Sequence, residues 1–198
     1  MKPRELHSSR RLHLQGGGLI EVLVTLFIMA TGLMGLAGYM VRQQGNEIEA
    51  YQRSQALLLL NDMAQRLQAN RAAADAYETG ADDPLGAGMT CPTLGDTPTR
   101  AQTDLSQWCN ALQGANTTVG TGADARRVGA MVGARGCVEV LGPRQYLVTV
   151  AWQGPLPLAA PAVACGAGLY NGAEGSQCSG DRCRRVVTTL VRIGNLAP

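Results

Sequence analysis

An apolar run from Leu19 to Val41 carries a single charged side chain, Glu21, in 23 residues. About 20 apolar residues suffice for a helix to cross the hydrocarbon core of a bilayer. Four basic residues and one acid precede the run, and this bias keeps the N-terminal side of a spanning helix in the cytoplasm. We therefore expect a single-pass membrane protein whose bulk lies on the far side of the membrane.

Small residues stand in front of the apolar run rather than behind it. An ordinary secretory signal has a shorter apolar core that is followed by a small-residue cleavage site. In this chain Gly16, Gly17 and Gly18 immediately precede the run. Cleavage here would remove a leader and keep the helix in the mature protein.

The charge of Glu21 needs an explanation, because a carboxylate at the centre of a membrane helix costs roughly 2.5 to 3.5 kcal/mol. One explanation is that the side chain reaches the nearby cytoplasmic surface. A second comes from the segment 16–21, Gly-Gly-Gly-Leu-Ile-Glu, which resembles the processing site of type IV pilins. In that family the acid is fifth in the mature chain and forms an ion pair with the terminal amine of a neighbouring subunit. Pairing of this kind would offset burial of the charge.

The resemblance implies a processing step. Gly16 matches the residue before the cut, so a prepilin peptidase would cleave between Gly16 and Gly17, remove the leader 1–16 and methylate the new amine of Gly17. Gly17 and Gly18 depart from the Phe and Thr that are more usual in the family. The three glycines therefore offer three cuts, of which only cleavage after Gly16 leaves Glu21 fifth.

The helical pattern continues beyond the apolar run. Apolar residues recur at intervals compatible with one helix face, among them Ile48, Tyr51, Leu58, Met63 and Leu67. We predict one helix from Gly18 to Ala73, with a membrane or filament-core half (17–41) and an amphipathic half (42–73). At 1.5 Å per residue it would be roughly 80 Å long, so its first half must contact lipid or other subunits.

Three glycines, Gly32, Gly35 and Gly38, recur every three residues inside the apolar run. Each weakens a helix by about 1 kcal/mol relative to Ala, so they need a use. Close packing of small residues against neighbouring helices is one hypothesis. Local melting of the helix when the subunit enters a filament, which the pilin resemblance implies, is the other.

Residues 74–198 form the predicted globular head. Turn signals at Asp83-Pro84 and further along end the long helix. We predict a short helix capped by Thr103, then a loop over 114–122. Three strands follow: Cys137–Leu141, Gln145–Gln153 and Arg185–Ile193. Strands that follow a long helix, rather than alternate with helices, indicate an α+β fold with an antiparallel sheet. The bulky face of the second strand, which begins at Tyr146, should pack on the long helix.

The head extends the resemblance. The segments 66–71, 146–152 and 183–189, together with Tyr77, look like the PilV group of minor pilins. This resemblance implies a pilin-like fold, in which the long helix packs on a small sheet head with disulfide-stapled loops. It implies a non-catalytic subunit without cofactors that helps initiate pilus assembly in a priming or tip complex and supports twitching motility and adhesion. The implied partners are the major pilin, other minor pilins, the inner-membrane assembly platform and a tip adhesin. The chain would be anchored in the inner membrane and then reach the pilus at the cell surface.

Six cysteines all fall in the head, where export would let disulfides form: Cys91, Cys109, Cys137, Cys165, Cys178 and Cys183. An even number fits three bridges, and six cysteines allow 15 pairings among which sequence does not choose. A bond between Cys91 and Cys109 would staple a loop to the short helix. The spacing of Cys178 and Cys183 has no matching second pair of the kind that zinc sites use.

The residue inventory disfavours catalysis. Both histidines and the only lysine lie in the leader, so a processed chain lacks a histidine base and a lysine nucleophile. Removing the leader leaves 13 basic and 14 acidic side chains, which gives nucleic-acid binding no support. The acids Asp82, Asp83, Glu174 and Asp181 in Gly-rich loops, and the arginines at 126, 127, 182, 184 and 185, are interpreted as solvated loop or strand ends.

Two alternatives remain open. A minor pseudopilin of a type II secretion system would share the N-terminal features but build a short periplasmic filament for protein export. A membrane-anchored periplasmic enzyme or redox protein would instead need a reactive thiolate or a catalytic carboxylate pair.

Overall fold

The computed structural model describes residues 17–115, 118–120, 125–127, 129 and 131–194. The predicted leader, including Gly16, lies outside these residues. The chain divides near Gly45 into two compact units, which are described separately. The fold is α+β, with a long N-terminal helix, a four-stranded antiparallel sheet and three disulfides.

The long helix, α1, runs over Gly17–Ala69, and a 3₁₀ helix over Arg71–Tyr77 follows it. The predicted helix is confirmed, but its end at Ala73 is wrong by about one turn. Ala73 has a φ of −122° and a ψ of 34°, which is not helical, and its N–H donates to the carbonyl of Asn70. The chain therefore leaves the α-helix at Asn70.

The buried face of α1 in the head differs from the predicted one. Met63 and Leu67 are buried as expected, whereas Ile48, Tyr51 and Leu58 are 53%, 57% and 63% exposed. The buried face also contains Ala56, Leu60 and Ala64, which the sequence pattern did not single out. Spacings of three and four residues put these positions on one side of the helix, and the exposed apolar residues lie on other sides.

The main sheet has four strands: β1 (Leu85–Gly86), β4 (Arg135–Gly142), β5 (Gln145–Gln153) and β6 (Arg184–Arg192). They lie in the order β1-β4-β5-β6, with all neighbours antiparallel. The three long strands confirm the three predicted from alternating side chains. The part of α1 from Asn46 to Ala69 is here called its head half. The predicted bulky face of β5 is buried and belongs to the same core cluster as this head half.

A second, two-stranded sheet pairs β2 (Thr118–Val119) with β3 (Arg126–Arg127). The predicted loop over 114–122 lies partly outside the described residues, and its described part includes β2. The sheet pairing was not predicted, because two-residue strands carry no measurable alternation.

A short helix, α2, runs over Arg100–Leu112. Its N-cap is Thr99 rather than the predicted Thr103. The Thr99 hydroxyl accepts from the N–H of Gln102, and the Gln102 side chain accepts from the N–H of Thr99, which is a complete capping box. Thr103 lies inside the helix, where its hydroxyl donates to the Thr99 carbonyl.

Trp108 of α2 lies at the centre of the core. Its ring is fully buried, and its indole N–H donates to the Leu59 carbonyl of α1 at 2.9 Å. The ring lies over Gly136 of β4: a Cβ built there would be 2.6 Å from Cζ3 and 2.7 Å from Cζ2, and closer still to Cη2. Glycine at 136 therefore lets α2 approach the sheet.

We expect Gly136→Ala to destabilise the head by about 1 to 3 kcal/mol, because the added methyl overlaps a ring that is packed on all sides. Gly142→Ala on the same strand is the matched control, since a Cβ there meets nothing within 4 Å. Urea denaturation of the two variants measures the difference. Equal stability of both would contradict the close approach of Trp108.

All six cysteines are paired: Cys91–Cys109, Cys137–Cys165 and Cys178–Cys183. The first bond joins the loop before α2 to that helix, the pairing that the sequence suggested. The second joins β4 to the long loop after β5. The third closes a five-residue separation just before β6.

Candidate functional site

The first half of α1 presents apolar side chains on every side. Each described side chain from 18 to 40 is exposed, among them Phe27 at 70% and Met34 at 78%. The most apolar 18-residue window of the helix has a mean hydropathy of 2.2. An isolated helix that is apolar all round cannot be stable in water, so it must be covered by lipid or protein. This helix is long and apolar enough to serve as a membrane anchor.

Glu21 is the one charged side chain of this surface. It lies four residues after the first described residue, Gly17, and its side chain is exposed. Within the described part of the chain its carboxylate has neither a hydrogen-bond partner nor an ion-pair partner. The carboxylate is thus free to meet a cation of another molecule, and an amine is the kind of group that would pair with it in an apolar environment.

The two threonines of the apolar run have their hydroxyl groups satisfied within the helix. Thr25 donates to the Val22 carbonyl at 2.9 Å, and Thr31 donates to the carbonyls of Phe27 and Ile28 at 3.0 and 2.9 Å. Such bonds remove the cost of exposing a hydroxyl to lipid. The hydroxyl of Tyr39 accepts from the Gln43 side chain, so Glu21 is the one acid or hydroxyl-bearing side chain of the run without a hydrogen bond among the described residues.

The glycines of the run have no packing partner in the part of the chain that the structure describes. A Cβ built at Gly32, Gly35 or Gly38 would meet nothing within 4 Å. The helix is continuous through all three, so neither space nor a local break in this monomer requires glycine there. Glycine at these positions is therefore explained by contacts with other molecules or by a change in the helix conformation.

Arg66 joins the end of α1 to α2. It binds Asp62 on its own helix at 3.0 Å and donates to Asp104 and Gln107 of α2, both at 2.8 Å. Asp104 is buried and also accepts from the Tyr77 hydroxyl at 2.5 Å. Burial and this bond raise the pKa of Tyr77 above its usual value. The network holds α2 to α1, and sequence reasoning did not find it because its bonds join residues up to 41 positions apart.

Two arginines predicted to be solvated are buried instead. Arg184 is 3% exposed and donates to the carbonyls of Pro161, Val163 and Cys165. Arg185 is 9% exposed, and its Nε donates to Glu49 of α1 at 2.7 Å. A guanidinium can be buried when carbonyls and a carboxylate satisfy its five N–H groups, and both arginines meet this condition in part. They are structural anchors rather than a basic surface.

Of the acids that were interpreted as solvated, Asp181 has partners in the structure. Asp181 accepts from the Gly168 N–H and lies 3.4 Å from Arg184, which is a loop-stabilising role. Burial, and secondarily the charge of Asp82, raise the pKa of Glu139 on β4. Among the residues that the structure describes, no three His, Cys, Asp or Glu side chains converge as a metal site. Cys178 and Cys183, considered above for zinc, are bonded to each other.

Comparisons with protein-family models, with curated proteins and with solved structures find no match to this chain. Function is therefore inferred from the exposed apolar helix, its single carboxylate and the head.

Proposed function

We propose that this chain is a minor type IV pilin, similar to the PilV group, that takes part in initiating pilus assembly without catalysing a reaction. In this proposal a prepilin peptidase cuts between Gly16 and Gly17 and methylates Gly17. The first half of α1 anchors the chain in the inner membrane and then packs among other subunits in the filament. The head meets other minor pilins, the major pilin and, at the tip, an adhesin.

One observation carries the proposal: Glu21 is the only charged side chain on the first half of α1, which is apolar on every side, and no described residue satisfies it. A subunit amine at position 17 of a neighbouring copy or related chain would pair with that carboxylate once both are removed from water. The same pairing would fix the axial register between subunits, because it joins one defined atom pair per contact.

Two further features support assembly. The glycines at 32, 35 and 38 leave space on the helix surface that other helices could fill. The head half of α1 also keeps large apolar side chains exposed, among them Tyr51 and Leu58, and Leu58 borders a groove of about 580 Å³ between α1 and α2. Both surfaces suit contacts with neighbouring subunits.

The proposal is tested by the mature N-terminus. The chain is extracted from membranes of cells with and without the prepilin peptidase, and its N-terminal peptide is analysed by mass spectrometry. We expect a peptide that begins at N-methylated Gly17, and an intact leader when the peptidase is absent. A leader that is intact in both cells, or a cut elsewhere, would contradict the proposal.

A pseudopilin of a type II secretion system would give the same peptide. Loss of twitching motility with normal protein secretion, after deletion of this chain, separates the pilus from the secretion system. The reverse phenotype would replace the pilus by the secretion filament and leave the N-terminal chemistry unchanged.

A further inference from the structure

The two edges of the main sheet differ in how they are covered. On the outer side of β4, β1 pairs with Arg135 and Gly136. Further along β4, the Val138 N–H donates to the Thr79 hydroxyl, and the N–H groups of Thr79 and Gly80 donate to the Val138 carbonyl. The other edge is β6, and among the described residues no strand pairs with its outer side.

The backbone bonds between β5 and β6 show which groups of β6 point outward. The N–H of Ile193 donates to the Arg144 carbonyl at 3.0 Å, and the N–H of Gly154 donates to the Cys183 carbonyl at 2.8 Å. Both pairs continue the register of the two strands, in which the odd-numbered residues of β6 therefore bond to β5. Hydrogen-bonded and non-bonded pairs alternate in an antiparallel ladder, so the N–H and C=O of the even-numbered residues point away from β5. These residues, here called the β6 edge, are Val186, Thr188, Leu190 and Arg192.

The β6 edge has no backbone partner within the part of the chain that the structure describes. Leu190 is 42% exposed, and Thr188 and Arg192 are exposed as well. Natural edge strands are commonly protected by a proline, by a bulge or by being very short. β6 runs over nine residues without a proline, and its register with β5 is unbroken. A long open edge of this kind is a template for an added strand.

Exposed arginines lie at both ends of β6. A cavity of about 200 Å³ at its beginning is lined by Arg53 of α1 and by the ion pair of Glu49 and Arg185. A second cavity, of about 190 Å³ at its end, is lined by Arg71 and Arg192. The arginines at 53, 71 and 192 are exposed, and none of them forms an ion pair among the described residues. A strand added to β6 would thus meet positive charge at both of its ends.

This charge pattern favours one kind of occupant. β6 itself contains three arginines and no acid, so pairing of two copies along this edge would bring like charges together. An extended segment with an acid near each end would instead place its acids beside the exposed arginines. Its middle residues would lie beside the segment 186–190, which carries no charge.

We propose that the β6 edge binds an extended segment of a partner protein, which joins the sheet as a fifth strand and carries acidic side chains toward its ends. Backbone hydrogen bonds to the β6 edge supply the affinity, and the arginines at both ends select the partner. The inference uses the head alone, so it depends neither on processing of the N-terminus nor on filament assembly.

The test uses the full chain in detergent micelles and a synthetic probe, the peptide Glu-Thr-Val-Thr-Val-Thr-Glu with blocked termini. At about 3.3 Å per residue it is about 23 Å long, which matches the segment 186–192 in a strand. Amide hydrogen exchange measured by NMR reports on single N–H groups. We expect the peptide at millimolar concentration to slow exchange at Thr188 and Leu190 at least about tenfold. The same peptide with Lys in place of both Glu is the control and should have no such effect.

The backbone contribution is tested at one residue. Thr188→Pro removes an outward N–H and keeps the ladder to β5, because an edge strand tolerates proline where its N–H faces solvent. It should weaken binding of the acidic peptide at least about tenfold. Thr188→Ala is the matched control, since it keeps the N–H and should bind as the unaltered chain does.

The charge contribution is tested by a second variant, which needs no change of the β6 backbone. Replacing the exposed arginines by acids, with Arg53→Glu, Arg71→Glu and Arg192→Glu together, should reverse the preference. The peptide with lysines then slows exchange at Leu190, and the peptide with acids does not.

Three results would overturn the inference. They are equal protection by both peptides or by neither, unchanged binding to Thr188→Pro, and protection of Leu190 that rises with the concentration of the chain alone, which would give the edge to a second copy. Each of them leaves the N-terminal peptide predicted for a pilin unaffected, so failure of this inference and failure of the proposed function are distinguishable.

Discussion

Replacing the carboxylate of Glu21 by an amide, Glu21→Gln, is expected to reduce incorporation of this chain into filaments by on the order of 100-fold or more. Removing one partner of a buried ion pair costs roughly 3 to 5 kcal/mol, since the other charge stays buried and unpaired. Every 1.4 kcal/mol is a tenfold change in an equilibrium constant. Insertion in the membrane should be unchanged or slightly improved, because the variant removes a charge from the apolar run.

The measurement compares the amount of the chain in sheared filaments with the amount in carbonate-extracted membranes. Glu47→Gln is the matched control, because Glu47 is an exposed acid on the same helix beyond the apolar run. It should leave both amounts unchanged. Normal incorporation of Glu21→Gln, or an equal loss in both variants, would contradict the role given to Glu21.

The second large effect is expected from the disulfides of the head. Loss of Cys137–Cys165, which closes a separation of 28 residues, should cost about 3.6 kcal/mol from loop-closure entropy alone. Loss of Cys178–Cys183, which closes only five, should cost about 2.1 kcal/mol. The first loss should be larger still, because Cys137 and Cys165 are both fully buried and their replacement by Ala leaves the core less well packed.

The stability of both double Cys→Ala variants is measured as protease resistance across a urea gradient. The measurement uses the full chain in detergent, with and without reductant. Cys178→Ala with Cys183→Ala serves as the control for the loss of a bridge as such. Reduction of the unaltered chain should lower its resistance below that of either variant. A reversed order of the variants, or resistance that reduction leaves unchanged, would contradict a head stapled by these bonds.

The strands and the long helix could be predicted because their signals are local. Bulky side chains recur at every second position of β5 from Tyr146 to Trp152, and the apolar run needs only its own composition. The buried face of α1 in the head could not be chosen in the same way. Ala56 is buried while Leu58 is exposed, and only the position of the sheet and α2 decides which face is covered.

Other parts depend on contacts between distant segments. The burial of Arg184 follows from carbonyls about 20 residues away, so the local sequence looks like a charged loop end. The cap at Thr99 could have been predicted from sequence, because Thr99 and Gln102 have the spacing of a capping box. Of the candidate site, Glu21 stands out from sequence alone.

Membership of a surface filament is tested by peptide mass spectrometry of filaments sheared from the native cells. We predict peptides of this head together with an N-terminal peptide that begins at methylated Gly17, in amounts far below those of the major subunit. Filaments that lack this chain, while membranes of the same cells hold it with an intact leader, would contradict the assignment to a pilus.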